Sequence, residues 1–140
     1  MTITLVAGPP CAGKNRYVAE HKRPGDLVVD FDALIQALGG AGDHDQPDAL
    51  KRYTYEARDA VVSRLMARRD VDAWVILSAP DKRARETYMR RSCRTVLVLA
   101  SEAVCLERAR AERPPEWQDY VRNWFTRYEA ALWDDVHWTG

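Results

Sequence analysis

The stretch Gly8-Pro9-Pro10-Cys11-Ala12-Gly13-Lys14-Asn15 decides the reading of this 140-residue chain. It follows the apolar run Ile3-Thr4-Leu5-Val6-Ala7 and precedes a helix-compatible segment, Arg16 to Lys22. Strand, glycine-bounded loop and helix in that order build an anion site. Successive loop N–H groups and the positive end of the helix dipole converge on one concavity. Gly8 and Gly13 permit backbone angles and close approaches that a side chain forbids. Lys14 adds a mobile point charge suited to the β- and γ-phosphates of a nucleotide. The pattern is G-x-x-x-x-G-K-[ST] with one departure, Asn15 in place of Ser or Thr. The usual hydroxyl ligates Mg²⁺; an Asn carbonyl is also a hard oxygen ligand but sits one atom further out. The expected nucleotide site is therefore Gly8, Pro9, Pro10, Cys11, Ala12, Gly13, Lys14, Asn15 and Arg16, binding ATP or another NTP with Mg²⁺, and Asn15 is an expected metal ligand.

Outward from this loop, four apolar runs alternate with helical patterns: Thr2 to Ala7, Asp26 to Asp30, Ala73 to Ser78 and Thr95 to Leu99. The near-continuous apolar character of the first suggests a parallel strand buried on both faces. Strands alternating with helices predict an α/β fold: three layers, about four parallel strands, helices on both faces. Right-handed crossovers then gather the loops after each strand on one edge, where ligands bind.

The helices carry their own signals. A short one is expected over Ala33 to Leu38, and a longer one from Pro47-Asp48 to about Arg69. Leu50, Tyr53, Ala57, Val61 and Leu65 recur there at spacings of three and four, which predicts one apolar stripe. Asp81 and Ser101 are expected caps. Pro114-Pro115 divides two further helices. The second has Trp117, Tyr120, Val121, Trp124, Phe125, Tyr128 and Leu132 at amphipathic spacing, read as core packing in preference to a base-stacking platform. Ala41 to Gln46 is an expected mobile polar loop. Asp134 to Gly140 shows no pattern.

Composition sets bounds. The length suits one domain, 1–140, with a proper core. Net charge is zero, and the 21 basic residues comprise 17 Arg and 4 Lys. That balance argues against a nucleic-acid-coating protein without excluding a local basic groove. Arg83, Arg85, Arg90, Arg91 and Arg94 form a basic run, read as a solvated helix face in preference to a polynucleotide contact. Cys11, Cys93 and Cys105 lack metal-ligand spacing and read as reduced thiols of a cytoplasmic protein. No apolar run approaches the ~20 residues of a membrane span.

Two further constellations bear on chemistry. Asp30-Phe31-Asp32 ends the second strand. Strand alternation puts both carboxylates on one side if the extended conformation continues through Phe31. A phosphotransferase needs a carboxylate to accept the proton of its acceptor hydroxyl. Asp32 fits that role, with Asp30 holding Mg²⁺ or orienting Asp32; the alternative is that Asp32 caps the following helix. The second set is Arg108, Arg110 and Arg113 before the Pro pair. Cations are needed over a transferring phosphate, and a helix end beside a breaker is a natural lid, about 105–118. Arg108 and Arg113 are the better placed; the alternative is a solvated face paired with Glu107 and Glu112. Ser78 stands at the end of the third strand, where many phosphate-loop proteins carry a magnesium-coordinating Asp.

GPPCAGKN, the VVDFDAL segment and the Arg-bearing helix before the break resemble the small P-loop kinases of bacteriophages, a group of AAA-family ATPases similar to the kinase domain of phage polynucleotide 5′-kinase. Only the first 40 residues match by motif; the rest match by element order. The resemblance implies an ATP-dependent kinase in which Lys14 binds ATP, Asp32 is the general base, and Arg108 and Arg113 are lid arginines. It implies an acceptor hydroxyl on a nucleoside, nucleotide or nucleic-acid end, and a location in the host cytoplasm if phage-encoded. Asn15, Ile35 and Ser78 depart from the pattern. Ile35 stands where the polynucleotide kinase has an Arg, which bears on the acceptor. Asn15 and Ser78 define a second reading, a non-catalytic nucleotide-binding module with an impaired magnesium site. Oligomeric state is not legible.

Overall fold

A computed structural model describes residues 1–42 and 45–140. Its elements run β1 (Ile3–Ala7), α1 (Lys14–His21), β2 (Leu27–Asp30), α2 (Phe31–Ala37), α3 (Asp48–Arg68), β3 (Ala73–Leu77), α4 (Lys82–Arg90), β4 (Arg94–Leu99), α5 (Glu102–Glu112), α6 (Glu116–Arg127) and β5 (Asp135–Trp138). All strand pairs are parallel, in the order β2-β3-β1-β4-β5. The α/β fold is the one the strand–helix alternation predicts. The sheet, however, has five strands rather than four, and the fifth comes from the tail that shows no pattern in the sequence.

Both faces of the sheet are covered. Ile3, Leu5, Val29 and Val75 pack with Val62, Leu65 and Met66 of α3 and Tyr88 of α4. Val6, Ile76, Val96 and Val98 pack with Tyr17 and Val18 of α1, Cys105 and Ala109 of α5, and Val121 of α6. Each central strand therefore sends alternate side chains into two cores, which explains its unbroken apolar run. Central β1 is buried throughout and paired on both sides, with β3 and β4. The chain leaves β1 in one direction for β2 and β3 and returns for β4 and β5. That reversal makes the loop after β1 the switch point of the sheet, where a crevice opens at the carboxyl ends.

Several local expectations shift. In α3 the buried residues are Thr54, Val62, Leu65 and Met66, while Tyr53 and Val61 are exposed. The stripe is rotated by about one residue because Thr54 can be buried: its hydroxyl donates to the Leu50 carbonyl at 2.7 Å and so carries no unmet donor inward. α6 ends at Arg127, and Leu132 lies beyond it, fully exposed. Val121 and Trp124 are its buried contacts; Trp124 donates to the Ser78 carbonyl at 2.8 Å. Asp81 and Ser101 cap α4 and α5 as expected, accepting from Ala84 N and Val104 N. Within the Ala41–Gln46 stretch, Asp43 and His44 lie outside the described residues.

The basic run is not a single solvated face. Arg85 is buried, donates to the Glu129 carbonyl at 2.6 Å, and lies over the rings of Tyr128 and Trp133. Arg94 belongs to β4 and pairs with Asp135 of β5 at 3.6 Å.

Candidate functional site

The phosphate loop forms where the switch point demands it. Gly8 N donates to the Ser78 carbonyl at 3.3 Å, tying the loop to the end of β3. A Cβ at Gly8 would stand 2.0 Å from the Val98 carbonyl oxygen, so no other residue fits. Cys11 (φ 64°) and Gly13 (φ 102°) adopt left-handed backbone, which alternates the direction of successive N–H groups and shapes the anion cradle. Gly13 is the N-cap of α1 and contributes no side-chain cap. The first-turn N–H groups of α1 are thus left for a ligand.

Lys14 folds back over this cradle. Its ammonium donates to the carbonyls of Gly8 at 2.7 Å and Pro9 at 3.1 Å. Desolvation of the ammonium pulls its pKa from 10.5 down to about 8, and Asp32 opposes that shift more than any other group. The lysine is therefore a charge held in an unfavourable place, poised for an anion to stabilise it. Cys11 lies at the cradle surface as a free thiol, and burial raises its pKa.

The two aspartates divide their labour differently from the strand-alternation expectation. Extended backbone stops at Asp30, and α2 begins at Phe31. Asp30, not Asp32, is the cap: its carboxylate accepts from Asp32 N at 3.2 Å. The other oxygen of Asp30 accepts from the Asn15 amide at 2.7 Å. Asp32, relieved of capping, lies exposed in the first turn of α2.

Asp32 sits where two cavities meet. One is a polar groove of about 680 Å³ lined by the phosphate loop, Lys14, Asn15, Arg16, Asp32, Arg108, Arg113 and the β5 residues His137, Trp138 and Thr139. The other, about 310 Å³, is walled by α2, α3 and α6 and shares Asp32 and Trp117 with the groove. An apolar cavity of about 600 Å³ also opens along β2. Its mostly aliphatic walls share only Asn15 with the phosphate loop, so the polar groove is the better nucleotide site.

The structure separates the two candidate lid arginines. Arg113 is exposed at the end of α5, with its guanidinium 5.4 Å from the centre of the Trp117 ring, at the groove mouth. Arg108 also lines the groove, but its guanidinium is tied to backbone and to the tail. It donates to the Cys11 carbonyl at 3.1 Å, to the Thr139 hydroxyl at 3.0 Å and to the Thr139 carbonyl at 2.7 Å. Thr139 in turn donates to the Ala12 carbonyl at 2.6 Å. Sequence reasoning missed this latch entirely. Arg16, at the rim, pairs with Glu20 at 3.0 Å.

Among the described residues, no group of three or more His, Cys, Asp or Glu is arranged to hold a metal ion. Mg²⁺ does not require such a cage; it is usually held by one or two protein oxygens plus phosphates and water. Asn15 and Asp30, side by side at the start of α1 and the end of β2, fit that donor set. Among the described residues, no helix is long and apolar enough to cross a membrane.

Comparison with known proteins agrees with this architecture. Residues 3–122 match the family model described as an AAA domain. No curated protein matches the chain. A gluconokinase from Sinorhizobium meliloti 1021 superposes with TM-score 0.62 at 20% identity, over 97% of this chain and 81% of that one. Shikimate kinase from Acinetobacter baumannii gives 0.58 at 17% identity, over 100% and 84%. A chain of the Pnkp1/Rnl/Hen1 RNA repair complex gives 0.64 at 12% identity, over 91% and 46%. The chain belongs to the AAA domain family and has the parallel α/β fold of the small P-loop kinases.

Proposed function

We propose that this protein is an ATP-dependent phosphotransferase that moves the γ-phosphate to a hydroxyl of a small acceptor. The observation that carries the reading is the position of Asp32. It lies at the junction of the phosphate groove and a second cavity, with Lys14 on the groove side. An acceptor in the second cavity has its hydroxyl beside a carboxylate and faces a phosphate in the groove.

The roles follow from geometry. The loop N–H groups and the first turn of α1 bind the phosphates. Lys14 exchanges its carbonyl partners for the β- and γ-phosphate oxygens. Trp138, on the groove rim and largely exposed, offers a face for the nucleobase. Arg113 at the mouth compensates charge on the transferring group. Asn15 and Asp30 would hold Mg²⁺, which when bound neutralises phosphate charge. The acceptor oxygen forms a bond to the γ-phosphorus, the bond from that phosphorus to the bridging oxygen of the β-phosphate breaks, Asp32 takes the hydroxyl proton, and ADP leaves. Arg108 is a positioning residue, latching the loop to the tail at Thr139.

The test is transfer of label from γ-labelled ATP across a panel of hydroxyl compounds, beside a binding measurement. ATP binding with labelled acceptor supports the reading. ATP binding with no transfer to any acceptor favours the non-catalytic module, and absence of ATP binding refutes both. Asn15→Ser separates the first two further: a large rise from near zero marks an impaired magnesium site, and little change marks a site adapted to Asn.

A further inference from the structure

We propose, resting on the kinase reading above, that the acceptor is an uncharged alcohol of nucleoside size carrying a flat ring, held in the α2–α3–α6 cavity by stacking rather than by ion pairing.

Size comes first. The cavity holds about 310 Å³, at the lower end of the ~300–1,000 Å³ typical of small-molecule pockets. It suits a whole small molecule better than a polymer segment. Its walls come next. Phe31 of α2 and Tyr55 of α3 lie with ring centres 4.6 Å apart, and Trp117 and Tyr120 of α6 lie 5.7 Å apart. Although they line a cavity, Tyr55 and Tyr120 are 46% and 40% exposed. Tyr55 already has the Phe31 ring beside it and the Arg58 guanidinium 5.0 Å over its ring, which makes Tyr120 the better stacking face. Ring surface left to water is surface that a flat ligand covers favourably.

Charge decides between ligand classes. The cations near the site, Lys14, Arg16, Arg108 and Arg113, line the phosphate groove. Among the described lining residues of the acceptor cavity the single cation is Lys51, which Asp45 holds at 2.5 Å; the Arg58 and Arg113 guanidiniums lie over the Tyr55 and Trp117 rings. Over the described lining residues, Asp32 and Asp45 against Lys51 leave a net negative charge. An anionic acceptor would have to displace Asp45 from Lys51 and stand beside the Asp32 carboxylate, at a cost in desolvation and like-charge repulsion. A cationic acceptor would pair with Asp32 and lower its basicity, the property the transfer needs. The side-chain amides are turned to the chain itself: Gln36 donates to the Gly42 carbonyl at 2.7 Å and Gln46 to the Ala41 carbonyl at 3.0 Å. Recognition is left mainly to ring faces, with Asp32 selecting the hydroxyl.

Direct binding tests this without requiring turnover. The groove is first filled with a non-hydrolysable ATP analogue, so that a nucleoside cannot enter it. Adenosine and thymidine, their 5′-monophosphates, glucose and gluconate are then titrated calorimetrically. Nucleosides are expected to bind at least tenfold more tightly than the monophosphates, glucose or gluconate. Tyr120→Ala is expected to weaken nucleoside binding roughly ten- to hundredfold, the range for loss of one base–aromatic stack, and Tyr120→Phe to restore it. A melting temperature near the parent's verifies that each variant is folded; Tyr55→Ala serves if Tyr120→Ala is not. Tighter binding of gluconate or the monophosphates, no nucleoside binding at millimolar concentration, or an unchanged affinity in the folded Ala variant overturns the proposal. Labelled transfer to gluconate would overturn it while upholding the kinase reading. Failure of the ATP analogue to bind the parent would instead strike at the kinase reading itself.

Discussion

Filling the groove with a triphosphate should draw a proton onto Lys14. In the unliganded protein desolvation holds that ammonium at about 8, against an ordinary 10.5. At pH 8 about half of the molecules therefore carry a neutral lysine, and at pH 7 roughly a tenth. Phosphate oxygens replace the loop carbonyls as partners and favour the charged form. Binding at pH 8 should then take up about 0.5 proton, falling to ~0.1 at pH 7 and rising towards ~0.9 at pH 9. Calorimetry in two buffers of different ionisation heat measures this directly, with the protons taken up given by the slope of observed enthalpy against buffer enthalpy. Affinity should decline with pH above 8 with a limiting slope of about −1 per unit. The stability linkage has the opposite sense from that of a stabilising lysine. The folded pKa lies below the unfolded one, so the charged lysine costs stability below pH 8, and stability is regained as pH rises from about 8 to 10.5. The full shift corresponds to about 3 kcal/mol at neutral pH as an upper bound. Lys14→Met should accordingly raise the stability of the unliganded protein by ~1–3 kcal/mol while abolishing tight nucleotide binding. Buffer-independent enthalpy at pH 8, or proton release, would refute the reasoning.

Three further outcomes follow from particular contacts. Arg108→Met removes the latch between loop and tail at a cost of roughly 2–3 kcal/mol, so the melting temperature should fall several degrees before any nucleotide is added; unchanged stability with lost transfer would return Arg108 to a lid role. Asp30→Ala should lose about 1 kcal/mol of stability with the α2 cap and, in the same variant, weaken the Mg²⁺ dependence of nucleotide binding measured by titration of the metal. Trp138→Ala should weaken ATP by ~1–3 kcal/mol if the base stacks there yet leave the affinity for inorganic tripolyphosphate unchanged, since that anion has no base.

How much was legible depended on how local each signal was. The phosphate loop reads from sequence because its chemistry is backbone geometry, encoded by Gly8, Gly13 and Lys14. Asp81 and Ser101 read as caps because capping is a contact across three residues. β5 was missed because all four of its residues are exposed or half-buried. An edge strand of this kind is specified by its neighbour: Asp134 accepts from the backbone N–H and the hydroxyl of Thr95, and Val96 to Leu99 pair with Asp135 to Trp138. The strand order leads to the expectation of Asp32 at the carboxyl edge of the sheet, and it lines both cavities there. That Asp30 rather than Asp32 caps α2 turns on where helix geometry begins, a boundary that strand alternation cannot fix. Arg108 was selected for its charge, but its partners Cys11, Ala12 and Thr139 lie 97, 96 and 31 residues away. The burial of Arg85 is equally non-local, since Glu129 and the rings around its guanidinium come from the far end of the chain.

The central claim is that Asp32 takes the proton of the acceptor hydroxyl, and Asp32→Asn tests it with the least disturbance, being isosteric and exposed. Single-turnover transfer from saturating labelled ATP should fall by about 10²–10⁴-fold, while the ATP dissociation constant stays within about twofold and the melting temperature is unchanged. Transfer by the Asn variant at the parent rate would contradict the account.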